Sequence, residues 1–94
     1  MESEPAVAPG KGVVLLTRPG CHLCEEARIT VDRVARGLGV RWRELSATDA
    51  PALGERFAEE LPVLFIDGVQ RDFWSIDEVR LHRLLSRMSA HDAA

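Results

Sequence analysis

Two unbroken apolar runs dominate the pattern of hydrophobic and polar positions along this chain. Val13 to Thr17 and Val63 to Ile66 show little polar alternation, which is typical of strands buried on both faces of a sheet. The segment Val40 to Leu45 alternates apolar and charged residues, which predicts a strand with one buried face. Asp67-Gly68 follows the second run directly and is a strong two-residue hairpin signal. We therefore expect Val69 to Trp74 to return antiparallel to that strand.

Three stretches carry the spacing of helices. Between Cys21 and about Leu38 the apolar residues recur every three or four positions, and charged residues lie opposite them. Ser46 to Glu60 contains capping residues and helix formers, and it predicts a short helix that Leu61-Pro62 ends. Ser75 to Glu78 fits a capping box and opens a last helix. The expected buried face of that helix consists of Ile76, Val79, Leu81, Leu84, Leu85 and Met88.

The order of these elements is β-α-β-α-β-β-α. A strand, a helix and a strand in succession predict a right-handed parallel crossover, and the later hairpin adds antiparallel pairing. The pattern therefore predicts an α/β fold with a four-stranded mixed sheet and helices on both faces. With 94 residues the chain has room for one domain with a modest core. We place this domain at residues 12–88, between a lead-in at 1–11 and a tail at 89–94 that are both expected to be disordered.

Composition and charge narrow the class of function. The formal net charge is −3 and the arginines are spread along the chain, which argues against a nucleic-acid partner. No apolar stretch approaches the roughly 20 residues that span a bilayer, and Met1 to Gly12 lacks the pattern of a secretory signal. We therefore expect a cytoplasmic protein without a membrane partner. A single small domain without an obvious apolar patch leaves a monomer as the default.

The candidate chemistry concentrates in the tetrapeptide Cys21-His22-Leu23-Cys24, which lies between the first strand and the first helix. Two cysteines are too few for a disulfide-stapled scaffold, so in a reducing compartment the pair is more typical of a redox or metal site. Two thiols three residues apart at a helix start lie within reach of each other. The free N–H groups and the dipole of the helix start favour the thiolate, the form that attacks a disulfide.

Other classes of function stay open on these residues alone. A metal-binding module would use both cysteine thiolates, but His22 lies between them, and His82 and His91 lack the paired spacing of a zinc finger. We therefore predict no metal site. Haem attachment needs a histidine directly after the second cysteine, where this chain has Glu25. A domain that keeps its cysteines without turnover, and acts only by binding a partner, is the remaining alternative.

Features outside the tetrapeptide make the chain resemble a known family. Arg18 stands three residues before the first cysteine, a proline and a glycine fill the turn between them, and Leu61-Pro62-Val63 opens the third strand. In these positions, and in the order of its elements, the chain resembles the glutaredoxin-like proteins of the thioredoxin-fold superfamily over about residues 12–88. The resemblance implies a thioredoxin-like fold and the activity of a thiol-disulfide oxidoreductase.

The resemblance also implies roles for individual residues. Cys21 would attack the substrate disulfide, and Cys24 would resolve the resulting mixed disulfide. Pro62 would lie opposite Cys21 in a cis peptide bond, which leaves the backbone of Leu61 free to pair with an extended substrate. The implied partner is a disulfide-containing protein or a glutathione mixed disulfide. No bound cofactor is implied, and glutathione is one candidate reductant.

The chain departs from the glutaredoxin pattern at two places. Glutaredoxins commonly carry Pro-Tyr between their cysteines and a Gly-Gly pair before the last helix, where this chain has His22-Leu23 and Phe73-Trp74. Trp74 adds bulk at the expected glutathione site, although Ser75 and Asp77 still offer polar contacts at the helix start. Arg18 and His22, beside the first cysteine, are expected to tune its thiolate. The sequence thus predicts dithiol exchange more strongly than it predicts glutathione binding.

Overall fold

A computed structural model describes residues 9–93 of the chain, with side chains described up to residue 88. Strands and helices alternate in the predicted order. They are β1 (Val13–Thr17), α1 (His22–Leu38), β2 (Trp42–Ser46), α2 (Pro51–Arg56), β3 (Val63–Ile66), β4 (Val69–Phe73) and α3 (Glu78–Ala93). The strands form one four-stranded sheet in the order β2-β1-β3-β4. The predicted α/β fold with a mixed sheet is therefore confirmed.

The central strand β1 fixes the topology of the sheet. It pairs in parallel with β2 on one side and antiparallel with β3 on the other. β3 pairs antiparallel with β4 through the turn at Asp67 and Gly68, whose φ angles are 52° and 83°. A two-residue hairpin turn of this kind requires positive φ at both positions. The predicted hairpin is therefore confirmed.

Alternate residues of β1 face two separate hydrophobic clusters. Val13 and Leu15 pack against α1 and α3 on one face, whereas Val14 and Leu16 pack against Leu53 of α2 on the other. All four β1 side chains are at most 2% exposed. Because both faces of the strand are covered, its positions are apolar without alternation. The helices therefore lie on both faces of the sheet, as predicted.

Two elements are shorter than the sequence predicts. β2 begins at Trp42 rather than at Val40, because the Val40 N–H completes the C-terminal cap of α1 through a 2.9 Å hydrogen bond. α2 covers only Pro51–Arg56, and the prediction of a helix over 46–60 is wrong at both ends. Ser46 belongs to β2, and its hydroxyl accepts an N–H from the turn that follows (3.1 Å). This turn delays the helix by five residues.

α3 begins later than predicted because a different residue caps it. The helix starts at Glu78, and Asp77 takes the capping role that the sequence pattern gave to Ser75. Oδ1 of Asp77 accepts the N–H of Arg80 (3.0 Å), which satisfies one of the free donors in the first turn. The Asp77 N–H in turn bonds to the carboxylate of Asp72 in β4 (2.9 Å).

The buried face and the end of α3 also differ from the prediction. Leu81 and Leu85 are buried as expected, but Val79 is 68% exposed. The helix continues to Ala93, so residues 89–93 are helical rather than a disordered tail. Ala94 lies outside the described residues.

The described part of the N-terminal lead-in is packed against the sheet. Pro9 is buried, and its carbonyl accepts a hydrogen bond from the Arg43 guanidinium. Gly12 and Asp67 exchange two hydrogen bonds, one from the Gly12 N–H to Oδ1 (2.8 Å) and one from the Asp67 N–H to the Gly12 carbonyl (2.9 Å). Residues 9–11 thus join the domain, while the predicted lead-in over 1–8 lies outside the described residues. Within the described chain, no helix is both long and apolar enough to cross a membrane.

Candidate active site

Cys21 occupies the N-cap of α1. Gly20, with a φ of 75°, turns the chain after β1, and Cys21 then adopts an extended backbone before the helix begins. The Cys21 Sγ accepts the N–H of Cys24 at 3.2 Å. The cysteine sulfur thus takes the place of the side-chain oxygen that usually caps a helix. Cys21 is partly exposed, and this hydrogen bond fixes its side chain at the start of the helix.

Cys24 lies one turn further along α1 and is buried. Burial raises the pKa of the Cys24 thiol from 9.0 to about 11, and its hydrogen bond with the Cys21 sulfur acts in the same direction. The backbone N–H of Arg18 acts in the opposite direction, because it donates toward the Cys24 sulfur. The two thiols are both free in the structure, and they differ sharply in exposure. The predicted pair is therefore an asymmetric one.

His22 is turned away from the two sulfurs. Its Nε2 lies 3.3 Å from Oε2 of Glu26, one turn along the helix, and both side chains are well exposed. Among the described residues, no group of three or more histidine, cysteine or carboxylate side chains is arranged to hold a metal ion. Among the described residues, the start of α1 therefore offers a metal ion two thiols and no further ligand.

The Leu61-Pro62 segment directly precedes β3. The peptide bond between these residues is cis, and both residues are buried. Leu61 and Cys24 belong to the same buried cluster, and Cys21 packs against it. The cis peptide bond at Pro62 is the one that the resemblance implied, while the pairing of the Leu61 backbone with a substrate stays a prediction.

Arg18 stands at the rim of a groove beside this segment. The groove has a volume of about 390 Å³, and Arg18, Pro19 and Leu61 line it together with Pro51 and Glu55 of α2. The Arg18 side chain is exposed, and none of its side-chain atoms has a hydrogen-bond partner among the described residues. The charge of Arg18 also favours the ionised form of Cys24. An accessible cation therefore lies at the rim of the groove that Leu61 also lines.

Trp74 is fixed next to the Pro62 segment. Its backbone has a φ of 65°, and its N–H bonds to the carbonyl of Pro62 at 2.9 Å. The indole Nε1 donates to the carbonyl of Glu59 (2.7 Å), and the ring packs edge to face against Phe73, with 4.9 Å between the ring centroids. Trp74 remains 53% exposed. The indole is thus a rigid, accessible surface rather than a core residue.

Most polar groups at the start of α3 already form hydrogen bonds within the chain. The Asp72 carboxylate accepts the N–H groups of Phe73 and Asp77, both at 2.9 Å, and the Asp77 carboxylate accepts the N–H of Arg80. Ser75 is exposed and makes no polar contact among the described residues. Asp72 is absent from the predicted site residues, although an aspartate just before a turn is a common partner for backbone N–H groups.

A second polar group absent from the predicted site lies behind Cys24. The Thr17 hydroxyl donates to Oε2 of Glu44 (2.6 Å), and the Arg28 guanidinium holds both oxygens of the same carboxylate. Thr17 is 2% exposed. Because buried hydroxyls are almost always hydrogen-bonded, a threonine that ends an otherwise apolar strand is the sequence signal for such a partner.

Comparison with known proteins agrees with this architecture. The glutaredoxin-like domain family (DUF836) matches residues 12–86. An uncharacterized protein of Mycobacterium tuberculosis is 31% identical over 80 residues, which cover 80% of this chain and 82% of that protein. The structural genomics target XcR50 from X. campestris has a TM-score of 0.64 at 27% identity, over 88% of this chain and 99% of that one.

Thioredoxins share the fold at lower identity. The thioredoxin of Fasciola hepatica has a TM-score of 0.57 at 21% identity, over 82% of each chain. This likeness shows that the chain, with its four-stranded sheet and helices on both faces, has a thioredoxin-like fold. The family match covers the whole of the sheet and all but the end of α3. This chain therefore has a thioredoxin-like fold and belongs to the glutaredoxin-like domain family (DUF836).

Proposed function

We propose that the protein is a thiol-disulfide oxidoreductase that reduces disulfides through a mixed-disulfide intermediate. The observation that carries this proposal is the asymmetry of the cysteine pair. Cys21 is accessible at the helix start with its sulfur accepting a backbone N–H, whereas Cys24 is buried one turn away. An accessible nucleophile beside a shielded second thiol is the arrangement that two-step thiol exchange requires.

The reaction follows from this arrangement in two exchanges. In the first, the Cys21 thiolate bonds to one substrate sulfur, the substrate S–S bond breaks, and the other substrate sulfur leaves as a thiolate. In the second, Cys24 Sγ bonds to Cys21 Sγ, and the remaining substrate sulfur leaves and takes up the proton that Cys24 releases. Two electrons pass to the substrate, and the protein is left with a Cys21–Cys24 disulfide. An external thiol, such as glutathione or a dithiol protein, is then needed to reduce it.

The burial of Cys24 keeps the two steps in order. With its pKa raised to about 11, Cys24 remains a thiol near neutral pH while Cys21 attacks. Once Cys21 is in the mixed disulfide, its hydrogen bond no longer holds the Cys24 proton in place. Cys24 is then the thiol nearest to the new S–S bond. The second exchange is therefore intramolecular, which gives it an advantage over attack by a thiol from solution.

A disulfide-containing protein is the proposed substrate. The groove lined by Arg18, Pro19 and Leu61 is close in sequence to Cys21, and Trp74 presents a fixed, exposed ring beside Pro62, so both offer surface to an extended chain. Glutathione has fewer places to bind, because the Asp72 and Asp77 carboxylates already accept two N–H groups at the start of α3, those of Asp77 and Arg80. Trp74 also occupies the position where glutaredoxins carry glycine. We therefore propose that glutathione mixed disulfides are poor substrates.

A pair of matched substrates tests this preference. The same cysteine-containing peptide is offered either as a disulfide with a second copy of itself or as a mixed disulfide with glutathione. We expect kcat/KM to be about tenfold higher for the peptide disulfide, the size of effect that one or two missing polar contacts produce. A higher kcat/KM for the glutathione mixed disulfide would contradict the proposed preference.

The variant Trp74→Gly serves as the internal control. Trp74 already has a φ of 65°, a conformation that glycine adopts without strain, so the variant removes the ring with little disturbance of the backbone. We expect this variant to narrow the difference in kcat/KM between the two substrates, because it raises kcat/KM for the glutathione mixed disulfide. An unchanged ratio would show that Trp74 does not set the preference.

A further inference from the structure

One carboxylate behind the cysteine pair accepts hydrogen bonds from side chains of two other elements of the fold. Oε2 of Glu44 in β2 accepts the hydroxyl of Thr17 at the end of β1 (2.6 Å). Arg28 of α1 binds the same carboxylate with two atoms, Nε to Oε1 at 2.8 Å and Nη2 to Oε2 at 2.6 Å. We call these three residues the Glu44 network. Because both guanidinium contacts are short, Arg28 is held in one orientation rather than swinging freely in solvent.

Two positions in the chain place the Glu44 network next to Cys24. Arg28 is four residues after Cys24 in α1, so both side chains point to the same side of the helix. Thr17 directly precedes Arg18, whose backbone N–H approaches the Cys24 sulfur. The pKa of Arg28 is raised chiefly by its hydrogen bond to Glu44, and the charge of an ionised Cys24 adds to this effect. The two groups therefore interact electrostatically through the structure.

Few other charges act on Cys24. The side chains packed around it from β1, α2 and β3 are apolar, namely Val14, Leu16, Leu53, Leu61, Val63 and Phe65. Arg18 of the preceding loop and the Cys21 sulfur are the charged or titratable groups that face it most directly. On its own helix, the exposed carboxylate of Glu25 is adjacent in sequence and acts on Arg28. Arg28 is therefore, with Arg18, one of two guanidinium groups whose charge interacts with Cys24.

We propose that the Glu44 network controls the second exchange through its two opposite charges: Arg28 stabilises the Cys24 thiolate, the Glu44 carboxylate opposes it, and Thr17 holds that carboxylate in place. The inference rests on the proposed function, because Cys24 must lose its proton before it bonds to the Cys21 sulfur. That proton passes to the departing substrate thiolate, and no further oxidant or reductant is involved. The network has no part in the first exchange, since Cys21 carries the charge there and lies about two helical turns from Arg28.

Substitutions at the two ends of the ion pair are predicted to act in opposite directions. Arg28→Gln removes the positive charge and leaves the negative charge of Glu44 without a partner. The second exchange therefore slows at neutral pH, and its pH profile moves to higher pH. Glu44→Gln removes the negative charge, so the second exchange becomes faster at neutral pH and its pH profile moves to lower pH. Arg28→Lys keeps the charge and stays close to the wild type. A shift of one pKa unit changes the rate by roughly threefold, because a more stable thiolate is also a weaker nucleophile.

A chromogenic symmetric disulfide such as dithiobis(nitrobenzoate) separates the two exchanges in one experiment. Mixed in equal amount with the reduced protein, it releases one coloured thiolate when Cys21 attacks and a second when Cys24 resolves the mixed disulfide. We expect the variants to change the rate of the second release by about threefold in the stated directions, with the first release unchanged. The variants Arg33→Gln and Glu78→Gln disrupt a comparable ion pair between α1 and α3 (2.7 Å) and serve as controls.

The outcomes separate the inference from the proposed function. If the wild type releases no second coloured thiolate, the proposed dithiol mechanism fails. If the wild type gives two phases but Arg28→Gln and Glu44→Gln slow both of them together, the network is only structural and the inference is overturned. If the variants fold but the pH profile of the second release is the same as in the wild type, the inference is overturned as well. Should Arg28→Gln fail to fold, the opposite sign expected for Glu44→Gln still decides the question.

Discussion

Replacing Cys21 with serine is expected to reduce the rate of disulfide reduction to that of the buffer alone. Cys21 is the accessible thiol, and a serine hydroxyl at the same N-cap is not ionised near neutral pH. Cys24 cannot take over the attack, because it is buried and its pKa is raised to about 11. Activity is measured as the reduction of a peptide disulfide under turnover conditions. A Cys21→Ser protein that keeps more than a few per cent of the activity would contradict the assigned roles.

Cys24→Ser is the matched variant, and it is expected to fail at a different step. It retains the nucleophile, so it completes the first exchange and then holds half of the substrate on Cys21. Each variant contains a single thiol, so the intact mass shows directly where substrate is bound. We expect one added substrate thiol on Cys24→Ser and none on Cys21→Ser. A stable adduct on Cys21→Ser would reverse the roles.

The reduced protein is expected to lose stability between pH 9 and 11 through Cys24. Burial raises the pKa of this thiol from 9.0 to about 11 in the folded state, so the folded protein holds the proton more tightly than the unfolded chain does. The stabilisation is fully present below pH 9, the unfolded value, and it is lost as the pH rises through 11. At about 1.4 kcal/mol per pKa unit, the loss in the free energy of unfolding is about 2 to 3 kcal/mol.

The composition of this chain makes that measurement unusually direct. The sequence contains no tyrosine and one lysine, Lys11, so few other side chains compete with Cys24 in this pH range. Denaturant unfolding of the wild type and of Cys24→Ser is followed at each pH in the presence of a phosphine reductant. We expect the wild type to lose stability relative to Cys24→Ser as the pH rises. A constant difference between the two proteins would show that Cys24 is not protected from ionisation.

The strands and turns that depend on local pattern could be predicted from the sequence. β1 and β3 are covered on both faces, so their positions cannot alternate in polarity, and the apolar runs mark them clearly. The hairpin between β3 and β4 needs two positive φ values, which Asp67-Gly68 supplies locally. These signals depend on residues within one segment, and no distant contact alters them.

The start of α3 could not be predicted because a residue of the preceding strand takes part in it. Ser75 fits the capping-box pattern, but Asp77 accepts the N–H of Arg80 and is itself bonded to Asp72 of β4. With the helix beginning at Glu78, Ile76 precedes it, and the helical spacing counted from Ile76 to Val79 does not apply. Val79 accordingly faces solvent, while the later positions Leu81 and Leu85 keep their buried face.

The site divides in the same way between local and distant signals. Cys21 and Cys24 are recognisable from their place at a helix start, and Pro62 from its place in the family's pattern. The Glu44 network was missed because its members come from three elements, and a charged residue on an edge strand usually faces water. Only the folded chain shows that this carboxylate holds Arg28 one turn from Cys24.

The intact mass of the wild-type protein in a glutathione redox buffer tests the central claim most directly. As the buffer is made more oxidising, we expect the mass to fall by two hydrogens in a single reversible transition, and peptide mapping to join Cys21 to Cys24. The loss must reverse when the buffer is made reducing again. A mass that never changes, or stable addition of glutathione without the internal disulfide, would contradict dithiol exchange and favour a domain that binds its partner without turnover.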